Sequence, residues 1–231
     1  AISKYILAKN VAQNMNNSQL EAIVIGNFGN IHLDKGEYFE AIKLYNEAKD
    51  IFTKENDYDG EGRMLNGMGS INSKIGNYDL ALTHYNKALI AYNKSDKSYL
   101  NIPVISMNVG LIHFYKKSFI KAENVFNDAI KILYPKNDIF YLKDCYYMLG
   151  IIKLELNDIE LADLYATKSL KLNKQLDIGA GTLTSKILKA KILYEIDKDR
   201  AVIEMEGLLN QVSESSNLEM KQSVYEFLYD A

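Results

Sequence analysis

Tryptophan is absent from this sequence, and its 231 residues hold only one cysteine and two prolines. A lone thiol, Cys145, excludes an internal disulfide and a cysteine-built structural zinc site. It fits a reducing compartment and leaves cytoplasmic and periplasmic placement both open. Prolines this sparse permit long helices, because proline breaks helix interiors. No apolar run approaches the roughly 20 residues of a membrane-spanning helix. Positive charge is not in excess either. The formal net charge is −3 and no face dense in lysine and arginine is visible, so direct nucleic-acid binding by this segment is not expected. What is present is the balance of a folded chain, 48% hydrophobic and 25% charged, with 17 tyrosines that need packing.

The residues repeat. Gly29, Gly36, Ala41, Tyr45 and Ala48 recur as Gly69, Gly76, Ala81, Tyr85 and Ala88, each 40 residues later. A more worn copy follows at Gly110, Phe119, Ala122, Phe126 and Ala129, and another at Gly150, Ile159, Ala162, Ala166 and Ser169. A fifth, around Ala190 to Leu208, is degenerate and one residue shorter. Ala1, Tyr5 and Ala8 stand 40 residues before Ala41, Tyr45 and Ala48, so the chain opens on the second helix of a repeat. It starts at Ala1 rather than a methionine, and it closes on one helix of a further hairpin. The expectation is a fragment of a longer protein.

Small residues at fixed positions explain the pattern. Glycine inside a helix costs about 1 kcal/mol relative to alanine, a cost that persists where a neighbouring helix approaches closely. Tyr45, Tyr85 and Phe126 lie four residues after an alanine on one helix face and fill the space beside it. Gly36 and Gly76 suit a left-handed helix-ending turn. The spacing predicts an all-α solenoid of antiparallel helix hairpins, about twelve helices in one domain over 1–231. The segments are 1–14 (a second helix), 18–55, 59–94, 100–133, 139–176, 180–214 and 217–231 (a first or capping helix). No alternation of polar and apolar residues supports a strand.

The order glycine, aromatic, alanine, aromatic, alanine resembles the tetratricopeptide repeat, whose usual period is about 34 residues. The period of 40 resembles the longer-helix variants of kinesin light chains, of Rap and PlcR type regulators, and of tetratricopeptide input domains in bacterial sensor kinases and transcription regulators. The resemblance implies a right-handed superhelical α-solenoid that holds a peptide or protein, with the first helix of each hairpin lining a concave groove. Carried over by position, the groove residues are Asn27 and Asn30; Arg63, Asn66 and Ser70; Met107, Asn108 and Leu111; and Asp144, Tyr147 and Ile151. A carboxamide offers donor and acceptor together and can pair with a peptide amide. Alternatively, the asparagines bond between adjacent helices. Met107, Leu111, Tyr147 and Ile151 suit an amphipathic helix or apolar peptide side chains, or are interhelical core. A carboxylate clamp for chaperone tails is not expected, since only Arg63 and Lys74 supply the cations it needs. The expected role is the sensing or docking module of a bacterial regulator. Self-association is the alternative, and a phosphatase-type regulator the third reading.

No catalytic set, metal site or cofactor is expected. His32 and His113 occupy packing positions, and His84 has no acidic or cysteine partner nearby in sequence. Gly60-Glu61-Gly62 lacks the ending of a phosphate loop, and no nucleophile elbow occurs. Cys145 reads as an inert buried thiol.

Overall fold

A computed structural model describes residues 2–95, 101–214 and 217–231. Ala1 and position 100, the expected start of the sixth helix, lie outside the described residues. The described residues form twelve α-helices and one short 3-10 turn, with no strand. They are α1 (Ile2–Asn14), α2 (Ser18–Asp34), α3 (Tyr38–Lys54), α4 (Tyr58–Lys74), α5 (Tyr78–Asn93), α6 (Asn101–Tyr115), α7 (Phe119–Leu133), the turn Tyr134–Lys136, α8 (Ile139–Glu155), α9 (Ile159–Gln175), α10 (Gly179–Tyr194), α11 (Lys198–Glu214) and α12 (Leu218–Asp230). The chain falls into two compact units, Ala1–Lys116 and Lys117–Ala231.

The turns repeat on half the period that the sequence suggests. Residues with positive φ stand at 16, 36, 56 and 76 in the first unit, and at 117, 137, 157 and 177 in the second. Each follows a helix, and after Asn16, Gly36, Asn56, Gly76, Asn137, Asn157 and Asp177 the next residue donates its N–H back five residues. Glu37 N to His32 O (2.9 Å), Asp57 N to Phe52 O (2.9 Å) and Asp158 N to Lys153 O (2.8 Å) are examples. This is the Schellman closure, which needs a left-handed residue. Glycine supplies it at Gly36 and Gly76, asparagine at Asn16, Asn56, Asn137 and Asn157. The next residue then opens the following helix. Asp57 accepts from Gly60 N at 2.9 Å, and Asp158 from Leu161 N at 3.3 Å. Asn-Asp is therefore a two-residue stop-and-start signal. Pro103 lies in the first turn of α6 and Pro135 in the 3-10 turn, so neither removes an interior helix bond.

In the first unit, α2–α3 and α4–α5 pack as hairpins around one stripe per second helix. Ala41, Tyr45, Ala48 and Phe52 are buried on α3, and Ala81, Tyr85, Ala88 and Tyr92 on α5. A β-carbon added to Gly29 would lie 2.7 Å from the Tyr45 ring, and one on Gly69 would lie 2.6 Å from the Tyr85 ring. The surface that meets the glycine is thus the tyrosine ring more than the preceding alanine.

In the second unit, α8–α9 and α10–α11 are the hairpins, with α12 packed on α10 and α11. Ala162, Ala166 and Ser169 are buried on α9. Ala201 and Met205 carry the stripe on α11, where the repeat is shorter by one residue.

Candidate functional site

The first helices α2, α4 and α6 of the first unit carry eight of the expected groove residues, and none of the eight is buried. Asn27, Asn30 and Arg63 are exposed, while Asn66, Ser70, Met107, Asn108 and Leu111 are half-buried. Their flanks on the same helices, such as Ile25, Met68 and Ile112, are buried. Helical geometry leaves one strip of each first helix open.

The polar members are bonded locally. Asn30 Oδ1 accepts a 2.7 Å hydrogen bond from the Tyr45 hydroxyl. Ser70 Oγ accepts from Tyr85 at 3.4 Å, the same interaction one repeat later. Desolvation pushes the Tyr45 phenol up to about 12. Asn108 Nδ2 donates to Asn66 Oδ1 at 3.3 Å, linking α6 to α4. Bonding between helices thus accounts for part of what the asparagines do. Arg63 pairs with Asp59 at 3.3 Å and lies 5.8 Å from the centroid of the Phe52 ring. Asn27 lines a separate surface cleft of about 410 Å³ between α1 and α2, beside the stacked rings of Tyr5 and Phe28.

In the second unit, Asp144, Tyr147 and Ile151 are half-buried on α8. Asp144 Oδ1 lies 2.6 Å from Lys143 Nζ. Tyr147 and Ile151 pack against the buried cluster Ala162, Ala166, Leu188 and Ile192, and burial raises the Tyr147 phenol above its ordinary value. Much of their apolar surface is therefore interhelical core.

A cleft that the sequence reading missed lies in this unit among α8, α10 and α12. It measures about 560 Å³, and its lining includes Leu154, Lys191, Tyr194, Ser223, Glu226 and Phe227. Lys191 Nζ donates to Ser223 Oγ at 2.7 Å, and burial holds its ammonium below the usual lysine range, partly offset by Glu226. The signal was available. Lys191 stands 40 residues after Ile151, but the worn fifth repeat hid the register.

His32 is bonded and packed locally, and the Cys145 thiol is buried. His32 Nδ1 meets Glu37 Oε2 at 2.5 Å and its ring abuts Phe28 edge-on. Burial, reinforced by Asp144, pushes the Cys145 thiol up to about 12, far from a reactive thiolate. Among the described residues, no group of three or more His, Cys, Asp or Glu could hold a metal.

Residues 20–94 match a tetratricopeptide-repeat model, and residues 144–176 match another of the same description. Comparison with curated proteins gives no match. Among solved structures, BtubC (BKLC) from P. vanneervenii is similar with a TM-score of 0.74 at 16% identity, over 90% of both chains. The Rap conjugation gene regulator of plasmid pLS20, in complex with the Phr* peptide, gives 0.62 at 17%, over 95% of this chain and 65% of that one. A STAND signal transduction ATPase with a tetratricopeptide repeat sensor, from Pyrococcus horikoshii, gives 0.78 at 14%, over 92% of this chain and 33% of that one. At these identities the likeness is one of fold. That fold is a protein-interaction scaffold, and its repeats are generally non-catalytic. Residues 20–94 and 144–176 thus carry tetratricopeptide repeats.

Proposed function

We propose that this chain is the partner-docking or ligand-sensing module of a bacterial regulatory protein. In this reading a peptide or protein segment lies along the open strip of α2, α4 and α6. Asn27, Asn30, Arg63, Asn66, Ser70 and Asn108 meet its backbone and polar groups, and Met107 and Leu111 meet its apolar side chains. Asp144, Tyr147 and Ile151 offer a comparable strip on α8 of the second unit. The chain itself carries out no chemical step.

The Asn66–Asn108 pair is the observation that carries the reading. Its single bond uses one acceptor of Asn66 and one donor group of Asn108. The Asn66 amide and the Asn108 carbonyl are left as a donor and an acceptor side by side, the complement of one peptide unit. Both residues are half-buried, so a ligand bond there would be partly shielded from water. Two fold relatives, a conjugation gene regulator in complex with a peptide and a signal transduction ATPase with a repeat sensor, lend the regulatory setting.

Selection of binders from a displayed peptide library, followed by calorimetry, tests the reading. A selected peptide should bind the Asn66→Ala, Asn108→Ala double variant about tenfold or more weakly, since two hydrogen bonds near 1 kcal/mol each are lost. Unchanged affinity, with the variant still helical by circular dichroism, would place the binding surface elsewhere.

A further inference from the structure

An ion pair between two second helices of the first unit has one of its positions charge-reversed one repeat later. On α1, Lys9 Nζ lies 2.8 Å from Glu47 Oε1 of α3. Its ammonium is held above the ordinary lysine value by Glu47 first, with Glu21 of α2 adding to the field. Forty residues later these three positions are Lys49, Glu61 and Lys87. The glutamate that neutralises the first lysine has become a second ammonium.

Lys49, Glu61 and Lys87 line one surface cleft of about 330 Å³ together with Lys94, over Leu65, Ile90 and Ala91. Three ammoniums thus line the cleft, and Glu61 is the one carboxylate among its lining residues. Lys49 is bonded to its sequence neighbour Asp50 at 2.7 Å, and Asp50 is largely exposed. Lys94 Nζ lies 5.3 Å from the centroid of the Tyr58 ring. The His84 imidazole is held below its ordinary value by burial, then by Lys87 and by Lys49, so both ammoniums act on one point. Its buried Nδ1 has no hydrogen-bond partner. The chain as a whole is negative, so this positive surplus is local.

We propose that this cleft is a docking surface for an acidic segment of a partner protein. A partner carboxylate plays the role that Glu47 has one repeat earlier, neutralising the Lys49 and Lys87 ammoniums. Leu65, Ile90 and Ala91 give an apolar floor for the aliphatic stem of a glutamate, which a bare inorganic anion cannot use. The surface uses none of the residues of the first-helix strip, so it stands or falls independently of peptide binding there.

Calorimetry with a hexaglutamate peptide and with inorganic phosphate tests the proposal on the whole chain. The parent should bind hexaglutamate, with affinity falling as salt is raised. Lys87→Glu and Lys49→Gln should each weaken it by about tenfold or more, whereas Lys43→Glu, an exposed reversal outside the cleft, should change it by less than about twofold. Lys87→Glu should also unfold at the same temperature as the parent or higher, because it restores the pair seen at Lys9 and Glu47. Several outcomes would overturn the proposal. They are no detectable binding at millimolar peptide, equal binding by Lys87→Glu, an equal loss in Lys43→Glu, phosphate bound as tightly as the peptide, or a lower melting temperature for Lys87→Glu.

Discussion

Two turns of the chain solve one packing problem with opposite chemistry. In the first unit, the Phe52 ring of α3 sits where a β-carbon on Gly60 of α4 would be 2.4 Å away. In the second unit, the Asn173 carboxamide of α9 sits where a β-carbon on Gly181 of α10 would be 2.1 Å away. The pairs are equivalent, each eight residues apart across a second-to-first helix turn. Around Phe52 the repeat positions are apolar, Ala48 and Met64; around Asn173 they are Ser169 and Ser185. Asn173 Nδ2 donates to Ser169 O at 3.1 Å and to Ser185 Oγ at 3.2 Å, while its Oδ1 is buried without a partner. The constant element is the glycine, which lets the helices close. The occupant's polarity is free to vary provided its donors are bonded.

Substitutions should break this comparison unequally. Phe52→Ala should cost about 3–5 kcal/mol in denaturant unfolding, since a fully buried ring leaves a cavity. A cost below about 1 kcal/mol would mean that the socket collapses freely. Gly60→Ala and Gly181→Ala should each cost about 1–3 kcal/mol by overpacking. Adding Asn173→Ala should relieve most of the Gly181→Ala cost, and failure to do so would place the strain outside this pair.

Tyr45→Phe should cost about 1 kcal/mol at neutral pH through the lost bond to Asn30. Its alkaline behaviour should differ as well. The folded phenol titrates near 12 against about 10 unfolded, so its stabilisation is complete below pH 10 and is lost as pH rises toward 12. Melting temperatures from pH 9 to 11 should therefore fall less steeply in the variant. Asn173→Leu should stay within about 1 kcal/mol of the parent, because an unpaired carbonyl leaves along with the donors. Lys117→Gly should stabilise by roughly 0.5–1 kcal/mol by relieving a left-handed lysine, visible as a small rise in melting temperature.

The helical hairpins were legible because glycine, alanine and aromatic residues recur at fixed offsets. Gly36 and Gly76 announced two turns, and the structure places both at positive φ. Three further turns were written in Asn56-Asp57, Asn137-Asp138 and Asn157-Asp158, a signal that attention to glycine overlooked. Of the expected groove residues, side-chain type alone did not separate an exposed Asn27 from Tyr147, whose ring packs on an interhelical cluster. That difference depends on which neighbouring helix covers the position.

The sequence by itself determined the helix count, the repeat type and the close-approach positions, because those rest on local conformational cost and periodicity. Only the tertiary structure decided which carboxamide pairs with which, as in Asn66 with Asn108, and that Lys9 reaches a carboxylate of the neighbouring second helix. Lys9 and Lys49 hold the same place in the repeat, yet only Lys9 faces a glutamate from the next second helix. Such pairings join residues about 40 apart, and their energies depend on distance and burial that no single segment encodes.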